Sequence, residues 1–394
     1  MTWSLNTGAP YHTQDTSYYC GAAVAMTVLA EIGVPYSQLD QDVLYASNHA
    51  HNHNPGWYTD CHGLQYTLVN RKPASFGNTF VVHKRLNELD GTRDVVYTLR
   101  TYGVAPCVLV FGCAHWNTVV GAQTNTDPAF GAYTVDGFWI NNPVWYDTPP
   151  PPPHGGSDSC GSGGAHGIAS EFITYATWQS TYFTGCAFDD PGGATQWISV
   201  CDPDERTLET PTGRAERPRA NGRRLLDPKQ IRSLAERGIR EYELAEAKLS
   251  AQMLRAGRVG APQLVLRLDR RDSWYYLAPW ESAGRTLGFA QVDARFGTFA
   301  SLQVLDRPVR TWLTKLEAVR RLVDNKRFEL ADELGAITIR PNTYCISPTL
   351  VWKPCRESYS PHLPFFQLTA GSHSLYVRID GQVFSHLTPP GPGS

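Results

Sequence analysis

The chain of 394 residues is long enough for two or more domains, since domains of about 100 to 200 residues are usual. Its hydrophobic fraction of 42% and charged fraction of 18% are typical of a globular protein, and no stretch approaches the length of a membrane span. The formal net charge of −2 and the lack of a recognition motif beside the arginines argue against nucleic-acid binding.

The first predicted element is a helix that begins at a cysteine. It follows MTWSLNTGAP, which lacks the basic and apolar regions of a signal peptide. In YHTQDTSYYCGAAVAMTVLAEIG, Cys20 opens an apolar run of helical period that ends near Gly33. The positive end of a helix dipole lowers the pKa of a cysteine and favours the nucleophilic thiolate. Gln14, one loop earlier, could place its side-chain amide beside the Cys20 backbone N–H and hold an oxyanion there. A buried structural cysteine is the alternative interpretation.

The next stretch, residues 36–105, is predicted to be mostly helical, with helices at 36–50, 61–70, 83–89 and 92–102 and a strand at 79–82. It contains NHAHNHN, whose alternating histidines are His49, His51 and His53. Imidazoles in this pattern could ligate zinc or copper, but closed zinc sites usually combine ligands from two segments. We therefore interpret the motif as an exposed polar loop and predict neither a metal nor a cofactor.

Residues 106–146 predict a sheet core with strands at 107–111, 116–122, 132–136 and 138–141. His115 follows an apolar strand, so a rigid sheet could hold its imidazole against the Cys20 helix. In GFWINNPVW, Asn142 comes directly before a proline, and an amide there could accept from the imidazole and fix its tautomer. Asn141 is a rival for this role, and an ordinary core histidine is the alternative for His115.

These residues together carry a family resemblance. In chain order they are Gln14, Cys20, Gly21, His115, Trp116, Asn142 and Pro143. Over residues 3–202 the chain resembles papain-like cysteine peptidases of the compact bacterial type, which includes peptidases that process bacteriocin leaders. The resemblance implies Cys20 as nucleophile and His115 as general base and then acid. It also implies Asn142 as the orienting residue and Gln14 as an oxyanion donor.

Three neighbours of this constellation are expected to contact substrate: Tyr19, Gly21 and Trp116. Gly21 would let a substrate approach the backbone closely. Two features depart from the bacterial type. Asn142 stands where Asp is more usual, and no transporter is attached, so trimming of a leader at a double glycine is not implied.

Two Pro/Gly-punctuated stretches follow the sheet core. TPPPPPHGGSDSCGSGGAHG, residues 148–167, predicts a surface loop near Asn142 that could act as a lid or a substrate rim. A helix at 169–180 and a closing strand at 196–200 then complete the predicted catalytic domain, residues 1–203. The polar, charged segment after it predicts a linker over residues 204–226.

The remaining half, residues 227–394, predicts an α+β accessory domain. An amphipathic helix is expected over 227–256, with Asp227 as its N-cap. Residues 273–302 and 364–387 then align as strand, polar turn, strand, glycine turn and short strand, the second copy following a helix at 309–325. The predicted fold class is α+β: a papain-like domain of helices and antiparallel sheet, followed by helix-plus-β-meander repeats that could form two modules.

The cysteine count bears on the compartment. Of nine cysteines, eight remain when Cys20 is set aside as the nucleophile, and an even number suggests disulfides. The candidate pairs are Cys345 with Cys355, and Cys160 with Cys186 or Cys201. Disulfides would favour an extracellular or secreted protein; a cytoplasmic protein with reduced thiols is the alternative.

The combined features predict a cysteine peptidase that acts on a peptide or protein through a thioester. An acyltransferase or transpeptidase would use the same residues, and a catalytically silent binding or scaffold protein is the second alternative. Acidic residues predominate before residue 202 and basic residues after it. This difference leaves open an intramolecular docking of the C-terminal domain on the catalytic domain.

Overall fold

The structure is a computed structural model of the whole chain. It describes residues 3–144, 168–188, 192–202, 224–245, 247, 254–255, 257–310, 314–324, 327–329, 336–338, 348–370 and 373–393. The fold is mixed α+β, and its strands pair mostly in antiparallel fashion.

The chain forms two compact units. The first comprises Met1–Pro218, Ala300–Asp306 and Pro390–Ser394, and the second comprises Arg219–Phe299 and Arg307–Pro389. The predicted loop at 148–167 and nearly all of the predicted linker at 204–226 lie outside the described residues.

Before residue 106 the first unit has one strand, three successive helices, a second strand and a fourth helix, and after it the unit is mainly strands. Its elements are β1 Trp3–Asn6, α1 Cys20–Glu31, α2 Gln41–Ala50, α3 Cys61–Arg71, β2 Val81–Arg85, α4 Glu88–Tyr102, β3 Cys107–Val110, β4 His115–Thr124, β5 Val135–Asn142, β6 Ile168–Thr174, β7 Cys186–Ala187 and β8 Thr195–Cys201.

Side-chain caps fix where the helices of this unit begin. The carboxylate of Asp40 accepts from the first N–H groups of α2, Asp60 does the same for α3, and Asn87 caps α4. The Asp40 cap separates α2 from a single 3-10 turn at Tyr36–Gln38, so the continuous helix predicted at 36–50 is wrong. The helix predicted at 83–89 is also wrong, because residues 83–85 belong to β2.

The strands of the first unit form one antiparallel sheet in the order β2, β8, β3, β4, β5, β6. β1 pairs with the far half of β4. Residues 135–142, predicted as parts of two strands, form one strand. The helix predicted at 169–180 is wrong for its first half, because Ile168–Thr174 pairs with β5, and Phe172 and Ile173 are buried.

The core of the first unit lies between α1 and the sheet. Nearly the whole of α1 is buried, because its alanine-rich surface lets other elements approach it from all sides. α1, α2 and α3 contribute to one apolar cluster, which also includes Leu109, Trp116, Ile198 and Val200 from the sheet. Burying a residue of this size stabilises the fold by about 1.5–3 kcal/mol. The packing places the first residue of α1 against the first residues of β4.

The second unit contains two β-meanders. Its elements are α5 Pro228–Glu241, β9 Arg258–Val259, β10 Gln263–Arg267, β11 Trp274–Ser282, β12 Arg285–Asp293, β13 Phe299–Arg310, α6 Lys315–Asp324, β14 Arg327–Glu329, β15 Ala336–Thr338, β16 Thr349–Trp352, β17 Phe365–Ala370, β18 His373–Arg378 and β19 Val383–Phe384. Within β13, residues 300–306 belong to the first unit.

The predicted repeat corresponds to β11–β12–β13 and β17–β18–β19, each beginning with an antiparallel hairpin. α5 starts with a capping box formed by Asp227 and Gln230. It ends at Glu241 and is shorter than the predicted helix at 227–256. None of the described helices combines the length and the apolar character needed to cross a lipid bilayer.

Candidate active site

Cys20 is the first residue of α1 and is completely buried. Its Sγ accepts a hydrogen bond from the backbone N–H of Trp116, over a distance of 3.4 Å. Burial raises the pKa of the Cys20 thiol to about 12, although the N–H groups of Trp116, Gly21 and Cys20 itself act in the opposite direction. The cysteine is therefore a neutral thiol in this closed arrangement, rather than the thiolate that its helix position favours.

His115 and Asn142 form a direct pair. The imidazole Nε2 lies 2.9 Å from the Asn142 Oδ1, and neither residue is exposed to solvent. His115 begins β4 and Asn142 ends β5, its antiparallel neighbour. Because an amide oxygen only accepts, the bond requires a proton on Nε2 and fixes the tautomer of a neutral ring. His115 directly precedes Trp116, whose backbone N–H contacts the Cys20 Sγ. The His115–Asn142 pair is therefore one residue along the chain from this contact.

Asn141, the rival for the orienting role, makes different contacts. Its Oδ1 accepts from Ser170 N–H at 2.9 Å, and its Nδ2 lies near the carbonyl oxygens of Ala9 and Pro10 at 3.5 and 3.4 Å. Successive residues of a strand face opposite sides of the sheet. The structure therefore pairs His115 with Asn142, and Asn141 instead bonds to neighbouring backbone.

Gln14 lies in the loop before α1, and two hydrogen bonds join this loop to the end of β5 and the residue after it. The Gln14 N–H donates to Pro143 O at 2.9 Å, and the Tyr11 hydroxyl donates to Asn142 O at 2.9 Å. Its Nε2 donates to Thr16 O at 2.7 Å, while its Oε1 is buried and has no hydrogen-bond partner among the described residues. The amide is thus engaged inside its own loop, and its role as an oxyanion donor stays a prediction.

The three predicted substrate contacts are packing residues in this structure. A Cβ on Gly21 would lie 2.5 Å from the Thr59 side chain, so only glycine fits there. The Tyr19 hydroxyl donates to Asp42 Oδ1 at 2.9 Å. Trp116 is fully buried and donates its indole N–H to Thr59 O at 3.0 Å. All three are held against other elements of the first unit.

The turn before His115 has unusual backbone geometry that the sequence analysis did not detect. Phe111, Gly112 and Cys113 have φ values of 55°, 70° and 63°, a left-handed run that non-glycine residues adopt at a cost. Phe111 N–H donates to Tyr182 O at 2.7 Å. A disulfide joins Cys113 to Cys186. The dipeptide FG before a cysteine was the only local signal for such a turn.

The predicted disulfides are corrected by this pairing. Cys186 bonds to Cys113, and Cys201 is a free buried thiol, so neither can serve Cys160, which lies outside the described residues. Cys355 is also a free buried thiol and donates weakly to Ser358 O. Its predicted bond to Cys345 is therefore not formed.

The histidine motif is not an extended loop throughout. His49 lies inside α2. His51 stacks on Tyr66 with ring centroids 3.3 Å apart, and His53 stacks on His62 at 3.7 Å. The described part of the chain contains no group of three or more His, Cys, Asp or Glu side chains arranged to hold a metal ion.

No protein-family model, curated protein or solved structure matches this chain. In the site itself, a helix-terminal thiol lies against the strand that carries a histidine bonded to an asparagine.

Proposed function

We propose that the protein is a cysteine peptidase of papain-like type that uses Cys20, His115 and Asn142. The observation that supports this proposal is a pair of contacts made by the first two residues of β4. The Trp116 N–H contacts the Cys20 Sγ, and the preceding His115 bonds to Asn142 at 2.9 Å. A nucleophile, a base and a third group that orients the base are the parts that acyl transfer by a cysteine requires.

In the proposed reaction the Cys20 Sγ attacks a peptide carbonyl carbon. The C–N bond breaks, a thioester forms, and the proton held by His115 passes to the leaving amine. Water then attacks the thioester while His115 accepts its proton, which releases the acid and restores the thiol. The Cys20 backbone N–H and Gln14 are the proposed oxyanion donors. Because Nε2 of His115 is bonded to Asn142, its Nδ1 is the proposed atom for proton exchange with the sulfur.

The closed state of the site affects how this reaction starts. Desolvation is the largest cause of the raised pKa of Cys20, so access of water or substrate would lower that pKa toward the ordinary range. Transfer of the thiol proton to His115 would then give the ion pair that attacks. The proposed reaction therefore begins with exposure of the buried Cys20 side chain to substrate or water.

The direct test is labelling of the full chain with an epoxysuccinyl electrophile, with sites assigned by mass spectrometry. We expect selective reaction at Cys20 and a rate that falls at least about tenfold in His115→Ala, since a base contributes about 10²–10⁴-fold. Cys107→Ser, which removes another buried thiol, is the matched control and should label normally. Labelling of Cys20 at the rate of an ordinary thiol, unaffected by His115→Ala, would support the scaffold alternative instead.

A peptide library read by mass spectrometry then separates the two enzyme alternatives. Hydrolysis gives fragments with new acid and amine ends, whereas a transpeptidase also gives peptides joined in new combinations. Both product classes should vanish in Cys20→Ala. The absence of any Cys20-dependent product from a chain that labels selectively would contradict the peptidase proposal.

The structure contains one disulfide among the described residues, Cys113–Cys186. Such bonds persist in oxidising compartments, and we propose on this ground that the protein acts outside the cell. Alkylation and intact-mass measurement of the protein from its native compartment would test the oxidation state. A fully reduced Cys113 would contradict the placement.

A further inference from the structure

A segment far along the chain lies beside the candidate site. Residues 390–393 belong to the first compact unit, and two main-chain hydrogen bonds hold them there. The Gly393 N–H donates to Cys113 O at 3.0 Å, and the Pro392 carbonyl accepts from Tyr58 N–H at 3.4 Å. The segment is thus bonded on one side to the turn before His115 and on the other to the loop before α3.

The place occupied by Gly393 admits no side chain. A Cβ there would lie 2.1 Å from Thr59 O and 3.2 Å from the Trp57 ring, and the φ of Gly393 is +66°. Gly391 and Gly393 are buried, whereas Pro392 between them is exposed. The segment therefore fits its surroundings closely through backbone, as a peptide fits a recognition cleft.

Thr59 lies between Gly393 and Gly21, the residue that follows Cys20. Gly393 meets the Thr59 carbonyl on one side, and the Thr59 side chain meets Gly21 on the other. The same carbonyl accepts from the Trp116 indole, and the Trp116 backbone N–H contacts the Cys20 sulfur. Gly393 thus lies one residue away from the first turn of α1.

Contacts that do not involve the segment hold both walls of this place. The Cys113 wall is a left-handed turn that is tied to Cys186 by a disulfide. On the other wall, Trp57 packs edge-on against Phe188, with ring centroids 4.8 Å apart. Walls that bind main chain on two sides are what a peptidase needs in order to hold a peptide substrate.

We propose that the backbones of Tyr58 and Cys113 form the peptide-binding cleft beside Cys20, and that the chain's own residues 390–393 occupy this cleft as an internal ligand. The inference rests on the proposed peptidase function and adds its regulation. A peptide substrate must displace the segment before it can bond to Cys113 O and Tyr58 N–H. The ligand class is a neutral, glycine-containing peptide main chain, since the segment has no charged side chain.

The test is the variant Gly393→Ala, in which the added methyl group collides with Thr59. We expect amide hydrogen exchange at Tyr58 to become at least about tenfold faster, and epoxysuccinyl labelling of Cys20 to accelerate by a similar factor. A synthetic peptide with the sequence HLTPPGPG should reverse both effects when added to the variant. The same peptide with alanine in place of its last glycine should reverse neither.

Gly103→Ala is the matched control. Gly103 has a φ of +65° but no atom within 4 Å of an added Cβ, so it reproduces the backbone strain without the collision. Both rates should stay at wild-type values in this variant. Equal acceleration in Gly103→Ala and Gly393→Ala would overturn the inference, because general destabilisation would then explain the effect.

A measurement on the wild-type chain covers the case in which Gly393→Ala does not fold. Once a peptidyl electrophile has reacted with Cys20, the exchange of the Gly393 amide should become faster, because reagent and segment compete for one cleft. Unchanged exchange at Gly393 would overturn the inference. Cys20 that labels selectively and equally fast in wild type and Gly393→Ala would overturn it while the peptidase proposal stands. Faster exchange at Tyr58 without selective labelling of Cys20 in any variant would instead contradict the peptidase proposal.

Discussion

The two units bury polar side chains in different ways. In the second unit Arg378 is fully buried, and its guanidinium bonds to the Asp380 carboxylate, to Gln382 Oε1 and to the Glu357 carbonyl. In the first unit the buried polar groups of the site are a thiol, an imidazole and amides, and they bond to one another or to backbone. The first cluster pairs a guanidinium with a carboxylate, which suits a structural role, whereas the second contains the groups that the proposed peptidase would use.

This contrast separates a cluster that stabilises the fold from the polar groups of the candidate site. A buried ion pair with all its donors used is costly to disturb and has no reason to react. The Oε1 of Gln14 is buried without a hydrogen-bond partner among the described residues, so substitution of Gln14 tests whether this amide serves the site. Variants on the two sides of this contrast should change different properties.

Removing the imidazole should lower activity strongly, with a smaller cost in stability because the buried Asn142 Oδ1 loses its donor. We expect His115→Ala to lower peptide turnover by about 10²–10⁴-fold, because the general base is lost. Asn142→Ala should cause a smaller loss, since the ring remains but its tautomer is no longer fixed. Asn141→Ala, the matched amide, should cause the smallest loss in kcat. A greater loss from Asn141→Ala than from Asn142→Ala would reassign the orienting role.

Arg378→Met should lower the stability of the fold and have little effect on peptide turnover. The change leaves the carboxylate of Asp380, whose side chain is only 6% exposed, without its cation, and we expect a loss of about 3–5 kcal/mol in the free energy of unfolding. Urea unfolding followed by hydrogen exchange should locate the loss in β17 and β18. Arg285→Met is the control, because Arg285 is exposed. Comparable losses in both variants would refute the structural role of Arg378.

Gln14→Ala tests whether a buried amide with an unused oxygen belongs to the site. As one oxyanion donor, Gln14 should contribute about 10²–10³-fold to kcat, with KM nearly unchanged. The measurement is steady-state kinetics on a substrate found in the peptide library. An unchanged kcat would show that the bond from Nε2 to Thr16 O is the whole role of this side chain.

Substitution of Glu31 should have the smallest effect, which is a change in how the free energy of unfolding depends on pH. Burial raises the pKa of Glu31 to about 7, while hydrogen bonds from Thr7 and Ala105 act in the opposite direction. The folded state then holds a proton that the unfolded state releases, so stability is greatest below about pH 4.5 for this group and falls as the pH rises to about 7. The loss is at most about 3 kcal/mol. Unfolding curves at pH 4.5 and 7.5 should differ less in Glu31→Gln than in wild type.

Part of the fold could be predicted, because some helices and strands have clear local sequence patterns. Apolar runs of helical period located α1, α3 and α4, and alternating strands flanked by turns located the meanders of the second unit. The errors fell where local pattern is ambiguous. Residues 169–174 are apolar enough for either state, and pairing with β5 makes them a strand. Residues 83–85 are a strand because β8 supplies their hydrogen bonds.

The sequence by itself determined the cysteine at the start of α1, the histidine at the start of β4 and the asparagine pair at the end of β5, because helix starts and strand ends have local signatures. Only the tertiary structure decided that Asn142 and not Asn141 meets His115, since strand register sets which face each side chain occupies. The tertiary structure also decided the Cys113–Cys186 bond and the docking of Gly393 beside Thr59. Both join residues far apart in the chain, and such contacts depend on chain packing that no local pattern encodes.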